Sequence, residues 1–376
     1  MNNEYPLAGL KVLELARVLA GPWAGQVLSD LGAEVIKIEA PQGDETRNWG
    51  PLFKQDSSAY FDSTNRGKKS FVADLKNPTD LAIVKQLARQ TDILIENFKV
   101  GGLKKYKLDF KNLKKSNKKV IYCSITGFGQ TGPESHRAGY DFIIQAMGGI
   151  MDLTGEPDGD PQKPGVANAD LFTGLYSVIA IQSALLSQKQ NSKPVYIDMS
   201  LFDTQLGVLA NQASSYLTTG KSPSRMGNSH PVIVPYQKFD TIDGPIIIAC
   251  GNDMQFKRFN EAFGWNFHND SSYKTNRNRV QNRQTLVPLI SQRLIKLSKN
   301  QILRKLQKVG VPSGPINTVS EALSEKQAVH RQMVLTVDNK PSVRTPILFD
   351  RLSLKYTTGS PKLGQHNKEI KMKLKE

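Results

Sequence analysis

The sequence predicts an α/β fold: a large domain with a parallel, Rossmann-like sheet, followed by a smaller α+β domain. Three observations predict it. Short apolar segments alternate with helix-periodic stretches through the first half, the pattern of βαβ units whose parallel sheet is covered on both faces. Near residue 217 the alternation stops at Thr218-Thr219-Gly220-Lys221-Ser222-Pro223-Ser224, a linker by composition. The chain has 376 residues, 39% hydrophobic and 22% charged, enough for two or three domains whose cores need no disulfide or metal.

Residues 10–15 open the first strand. Gly21-Pro22 then starts a helix, proline suiting its first turn, that ends at Gly32. The second strand is 33–39 and the third 70–75. Asn77-Pro78-Thr79-Asp80 caps a helix running to about Gln90. Strands four and five are 92–97 and 120–126. Beyond the linker, 238–249 reads as a hairpin around Asp243-Gly244, and helical periodicity resumes over 280–297. Extended pieces at 334–337 and 352–354 close the chain. The expected domains are 1–217 (large), 218–325 (linker and small α+β) and 326–376 (a segment returning to the large domain).

Composition excludes several functions. The 50 Lys+Arg against 34 Asp+Glu leave a net charge of +16, which admits nucleic acid or a polyanionic small molecule as partner. The lysines scatter (Lys104-Lys105, Lys111, Lys114-Lys115, Lys118-Lys119), and no helix concentrates them with aromatics, so most read as solvated faces. Cys123 and Cys250 are too few for a disulfide framework or a Cys-rich zinc site and read as reduced thiols. The five histidines show no H-x-x-H or H-E-x-x-H spacing, so no metal is expected. No G-x-S-x-G elbow and no Walker A loop occurs. Ala20-Gly21-Pro22-Trp23-Ala24-Gly25 followed by Glu39 mimics a dinucleotide site. It lacks G-x-G-x-x-G, and Pro22 removes a backbone N–H that a pyrophosphate would use. Residues 171–186, broken by Thr173, Ser177, Gln182 and Ser183, read as too short and too polar to span a bilayer. With no basic-then-apolar leader at the start, the expectation is a soluble cytoplasmic protein without membrane contact; a mitochondrial matrix location is the alternative.

Asp170 precedes a helix-periodic run, in Gly165-Val166-Ala167-Asn168-Ala169-Asp170. As a plain structural element it would be an N-cap. As chemistry, a carboxylate at a helix N-terminus is expected to stay ionised, and in a dry site it can act as a nucleophile.

The opening Pro6-Leu7-Ala8-Gly9-Leu10-Lys11-Val12-Leu13-Glu14-Leu15-Ala16-Arg17-Val18-Leu19-Ala20-Gly21-Pro22 resembles the class III CoA-transferases, the formyl-CoA and carnitine CoA-transferase family. The resemblance continues through Gly32-Ala33-Glu34-Val35-Ile36-Lys37-Ile38-Glu39, Glu96-Asn97-Phe98, Ser124-Ile125-Thr126-Gly127-Phe128-Gly129 and Ala138-Gly139-Tyr140-Asp141. It reaches Gly310-Val311-Pro312-Ser313-Gly314-Pro315-Ile316-Asn317 and Leu363-Gly364-Gln365-His366, and so spans essentially the whole chain in order. Within the family, Ile233-Val234-Pro235-Tyr236-Gln237 and Tyr273-Lys274-Thr275-Asn276 are most similar to the succinyl-CoA:glutarate (hydroxymethylglutarate) CoA-transferases, as are Arg279-Val280 and Asn282-Arg283.

The resemblance implies a CoA-transferase with Asp170 as nucleophile, working through an aspartyl anhydride and an aspartyl-CoA thioester, and CoA as co-substrate with no permanently bound cofactor. It implies CoA contacts from Arg17, Val18, Leu19, Ala20, Lys68, Lys69, Asn97, Phe98 and Lys105. One relative carries arginine where this chain has Ala40, so that phosphate contact is absent here or comes from another residue. Oxyanion donors would be backbone N–H groups of Gly148, Gly149 or Gly251. Tyr140 stands where the related α-methylacyl-CoA racemases carry histidine, and it fits an acyl-pocket wall better than a proton shuttle. A second substrate carboxylate would meet Arg17, Arg47 or His230. The substrates implied are succinyl-CoA and a dicarboxylate, and the partner is a second copy in an interlocked ring-like homodimer. Racemase chemistry on the same fold is the alternative; a basic nucleic-acid-binding protein is the alternative from a different class. The chain ends soon after Gln365-His366, leaving little room for the further helix that relatives carry.

Overall fold

Alternating apolar strands and helices pair into a six-stranded sheet in the computed structural model, which describes residues 5–50, 52–53 and 57–375. Contacts divide the chain into two units. The first is Met1–Met151, Lys163–Ser222 and Lys326–Glu376; the second is Asp152–Gln162 and Pro223–Glu325.

The first unit runs β1 (Lys11–Leu15), α1 (Ala20–Asp30), β2 (Glu34–Glu39), α2 (Ala59–Asn65), β3 (Lys69–Val72), α3 (Pro78–Gln90), β4 (Ile93–Glu96), α4 (Phe110–Ser116) and β5 (Ile121–Thr126). It continues with α5 (Asp141–Met147), α6 (Asn168–Gln188), β6 (Val195–Ser200), α7 (Leu201–Gly207) and α8 (Asn211–Thr219). The strands lie in the order β3-β2-β1-β4-β5-β6, all parallel. The sixth strand, β6, is absent from the sequence expectation.

Alternation along the strands sends side chains to two buried faces. Val12, Val35, Ile95 and Cys123 pack with Ala24 and Leu28 of α1 and Ile181 of α6. Leu13, Phe71, Leu94 and Tyr122 pack with Val84 and Leu87 of α3. Burying one such side chain contributes about 1.5–3 kcal/mol. Helix α1 sits close on β1 because two of its residues lack side chains: a Cβ on Gly21 would lie 2.3 Å from that of Ala16, and one on Gly25 would lie 1.9 Å from Glu14 Oε2. These glycines serve packing. Helix α3 starts as expected, with Asn77 Oδ1 accepting the N–H groups of Thr79 and Asp80 and Pro78 opening the helix.

Helix α6 corrects the membrane reading. It has 21 residues with a mean hydropathy of 1.4, long and apolar enough to cross a bilayer by length and composition. The serines and threonines that made it look polar bond back along the helix, Thr173 Oγ1 to Ala169 O at 2.7 Å and Ser177 Oγ to Thr173 O at 2.7 Å, which hides their hydroxyls. One face, with Ala169, Val178 and Ile181, belongs to the core; Phe172, Tyr176, Ile179 and Leu186 are exposed.

The outer edge of β3 is covered by the end of the chain. His366 Nδ1 accepts the Ser70 N–H at 3.1 Å, Asn367 Oδ1 accepts that of Val72 at 2.9 Å, and the His366 N–H donates to Ser70 O at 3.1 Å. A helix, α12 (Asn367–Lys373), follows. Residues 334–337 form a strand paired with Lys340–Val343. Residues 352–354 are irregular, with Leu354 against the core.

The second unit contains β7 (Tyr236–Thr241) and β8 (Gly244–Ala249), antiparallel as expected, with Gly244 at φ +125° after the turn. Strand β9 (Ser313–Pro315) joins β8. Helices α9 (Asp253–Ala262), α10 (Arg283–Leu294) and α11 (Lys299–Lys308) supply its core, including Phe256, Phe259, Leu286, Ile290 and Leu306.

Candidate active site

A parallel sheet in the order β3-β2-β1-β4-β5-β6 reverses direction between β1 and β4. Ligands of such sheets bind outside the carboxyl ends of the strands at that point. The loops leaving β1 and β4 are tied together there. The Arg17 N–H donates to Asn97 Oδ1 at 3.0 Å, and Asn97 Nδ2 donates to Arg17 O at 2.8 Å. Glu96 Oε2 accepts the Phe98 N–H at 2.8 Å, fixing the second loop. Burial pushes the Glu96 carboxyl up to about 7, against hydrogen bonds from Ser124 and Phe98.

A cleft of about 800 Å³ opens at this point, lined by Arg17, Val18, Leu19, Ala20, Asn97, Phe98, Gly139, Tyr140 and Asp170. Its wall is closed by a backbone contact: a Cβ on Gly127 would lie 2.6 Å from Gly139 Cα. Lys99 and Arg137 add positive charge, and His136 joins the lining. A second cleft of about 1190 Å³ shares Arg17, Asn97, Phe98 and Lys99 and adds Lys105. The structure thus brings together Asp170, Tyr140, the residues from Arg17 to Ala20, Asn97 and Phe98, with Lys105 in the adjoining cleft.

Asp170 is the third residue of α6, whose N-cap position is Ala167; it is not the cap. The cap comes from α5. Asp141 Oδ1 accepts the Ala169 N–H at 2.9 Å and the Asp170 N–H at 3.3 Å, while Gln145 Nε2 donates to Asp141 Oδ2 at 2.6 Å. The Asp170 carboxyl itself accepts no side-chain or backbone hydrogen bond among the described residues. Burial, then the charge of Asp141, push it up to about 7. The expectation of an ordinary ionised carboxylate is corrected: the helix terminus favours charge, but Asp141 already uses its N–H groups.

The loop after β1 is strained. Val18 has φ +68°, a left-handed conformation that costs a β-branched residue about 1–3 kcal/mol and persists only where its surroundings enforce it. Its N–H faces the Asp44 carboxylate, 3.2 Å from Oδ2.

Several expected ligand contacts have other partners. Lys68 is fully buried. Its Nζ meets Glu14 Oε2 at 2.7 Å, Pro22 O at 2.8 Å and Asn65 Oδ1 at 2.9 Å, and burial lowers its ammonium to about 8. No face of its side chain is open to the cleft in this structure. Lys69 lies on the outer strand β3, paired with Glu34 and Glu369 at 2.6 and 2.8 Å. Arg47 is buried against both oxygens of Glu39, at 2.8 and 2.7 Å, over the Phe61 ring, which leaves no free face for a substrate carboxylate. The Gly148 N–H ends α5 by donating to Ile144 O at 2.8 Å; Gly149 follows at φ +83°. In the second unit, the Gly251 N–H donates to Gln255 Oε1 at 2.7 Å, and His230 stacks on Tyr236 at 5.0 Å. Arg17 remains half-exposed in the cleft, paired with Glu45. Sequence reasoning missed Asp44, Lys37 and the capping role of Asp141. For Lys37 the signal was a charge on a strand face that a parallel sheet buries; Asp44 lies in a loop and Asp141 opens a helix, where charge is ordinary.

The fold and cleft define an α/β protein with a carboxylate free of hydrogen bonds beside the joined loops of Arg17 and Asn97. The model of CoA-transferase family III matches residues 7–367. A succinate–glutarate CoA-transferase of Agrobacterium fabrum is 48% identical, covering 98% of this chain and 96% of that protein. Human succinyl-CoA:glutarate CoA-transferase is 41% identical, covering 98% and 86%. A CaiB/BaiF family protein from Brucella suis has a crystal structure similar at TM-score 0.91 and 53% identity, covering 99% of this chain and all of the other. The chain belongs to CoA-transferase family III. It is an enzyme that transfers CoA, and the racemase and nucleic-acid readings give way to that.

Proposed function

We propose that this enzyme moves CoA from succinyl-CoA to a dicarboxylate of the glutarate type, with Asp170 as the nucleophile. The observation that carries the reading is an Asp170 carboxyl free of hydrogen bonds in the same cleft as the loops of Arg17 and Asn97. An Asp170 oxygen attacks the thioester carbonyl and the C–S bond breaks, giving an acyl-aspartyl anhydride and CoA thiolate. The thiolate attacks the Asp170 carbonyl, expelling the first carboxylate and leaving an aspartyl-CoA thioester. The acceptor carboxylate attacks that carbonyl, and the released thiolate then takes the acceptor's acyl group, regenerating Asp170. One thioester replaces another, and no proton is gained or lost. A raised pKa makes the carboxylate a stronger nucleophile. Arg17 is suited to a substrate's second carboxylate or to CoA phosphate.

Two further readings accompany it. The exposed apolar face of α6, with Ile179 at 56% and Leu186 at 62% exposure, supports a homodimer, tested by sedimentation at micromolar concentration. Two free buried cysteines fit a reducing, cytoplasmic compartment. The central test is chemical. With succinyl-CoA present, hydroxylamine or borohydride should modify Asp170 alone, read by mass spectrometry of a digest; an unmodified Asp170 during turnover sinks the reading. A panel of carboxylates offered with succinyl-CoA then assigns the acceptor.

A further inference from the structure

We propose that Asp44, backed by Lys37, is a positioning residue that enforces the left-handed backbone of Val18 and so shapes the loop that receives CoA; this rests on the reading of that cleft as the CoA site. The loop after β1 is held at three consecutive residues by side chains from elsewhere. Lys37 Nζ donates to Ala16 O at 2.7 Å, Asn97 brackets Arg17, and Asp44 accepts the Val18 N–H. Asp44 is itself fixed from two sides. Lys37 Nζ lies 3.0 Å from Oδ2, and the Thr46 N–H and hydroxyl reach Oδ1 at 3.0 and 2.8 Å. Behind Lys37, Glu14 joins it at 3.0 Å and ties it to Lys68. Burial disfavours charge on both partners. The surrounding carboxylates nevertheless hold the Lys37 ammonium above the ordinary lysine range, and Lys37 and Thr46 hold the Asp44 carboxyl below its own. A charged pair is thus kept under the loop, with one oxygen facing an amide that would otherwise relax. Glycine would adopt φ +68° without help. Valine there needs an enforcing contact, and Asp44 supplies it.

The test separates enforcement from plain stability. Binding of CoA alone is measured by titration calorimetry, and KM for succinyl-CoA and for the acceptor is measured in parallel. Asp44→Ala should weaken CoA binding and raise KM for succinyl-CoA by about tenfold, leaving KM for the acceptor unchanged. Asp44→Asn keeps an acceptor oxygen and should fall between. Adding Val18→Gly to Asp44→Ala should recover CoA binding by about threefold, because glycine needs no enforcement. If Asp44→Ala does not fold, Asp44→Asn with and without Val18→Gly makes the same comparison. Folded Asp44 variants that bind CoA like the parent overturn the proposal, as does a double variant no better than its Asp44 single. A parent that fails to bind CoA overturns the site reading instead.

Discussion

Beneath its cleft the first unit buries Glu14, Lys37, Glu39, Asp44, Arg47 and Lys68 as neighbouring ion pairs, whereas the second unit closes on Phe239, Ile246, Phe256, Phe259 and Leu286, with Arg279 its only buried charge among the described residues. The two cores answer different demands. A buried ion pair is a poor source of stability, since desolvation offsets most of its attraction. An apolar core stabilises without directing any backbone group. The first unit accepts the costlier arrangement where loop amides and carbonyls must be held at fixed points; in the second, Arg279 does the same on a smaller scale, donating to Val234 O at 2.6 Å and Tyr273 O at 3.1 Å. Buried charge here is the mark of a working surface one layer above.

The largest expected effect concerns the residue above that layer. Asp170→Ala should lower transfer by at least about 10³-fold while the protein stays folded, as followed by mass spectrometry of CoA products and by circular dichroism. Retained turnover would remove the reason for the whole arrangement.

The two cores can be compared by one substitution each. Lys68→Met leaves Glu14 with a single partner and should cost about 3–5 kcal/mol in urea unfolding; Phe259→Ala should cost about the same by leaving a cavity. Neither should change CoA affinity in the folded fraction. A weakened affinity for Lys68→Met alone would return that lysine to the ligand site.

The pH dependence is smaller and has a definite sign. Asp170 is raised from 3.8 to about 7 in the folded protein, so its protonated form is the favoured one. That contribution to stability is complete below the unfolded value and is lost as pH rises through about 7. Asp170→Asn should therefore melt higher than the parent at pH 8, with the gap closing near pH 5. The kcat/KM of the parent should rise through about pH 7 as the Asp170 carboxyl ionises in the free enzyme; a flat profile from 5 to 8 would show that this carboxyl does not titrate near 7. Least of all, Lys105→Ala on the exposed rim should raise KM for succinyl-CoA by no more than about threefold, and high salt should erase the difference.

Most of the sheet was legible because its strands are short apolar runs between helices, and Asn77-Pro78 marks a helix start that the side chain does cap. Strand β6 was not. Its VYIDMS sequence is half-exposed at the sheet's edge and alternates too weakly to stand out after a long helix. The proposed nucleophile, Asp170, stood out through resemblance alone, since an aspartate before a helix is ordinary by pattern. Its electrostatics were not legible, because Asp141 approaches from another helix. The burial of Lys68 and Arg47 was not legible for one reason: a cation reads the same in sequence whether it faces solvent or, as here, Glu14 and Glu39. The exception was written into β2, where Val35, Lys37 and Glu39 share one inward face; a lysine on that face has no solvent to meet and must find carboxylates.

The clasp of His366 and Asn367 over β3 also bears on synthesis. The open margin of the first unit acquires its cover from residues made some 300 positions later, so a nascent chain carries an uncovered strand edge until His366 and Asn367 have left the ribosome. Truncation or stalling before His366 would deprive the protein of its seal against strand-to-strand aggregation while leaving Asp170 and the loops of its cleft in the chain.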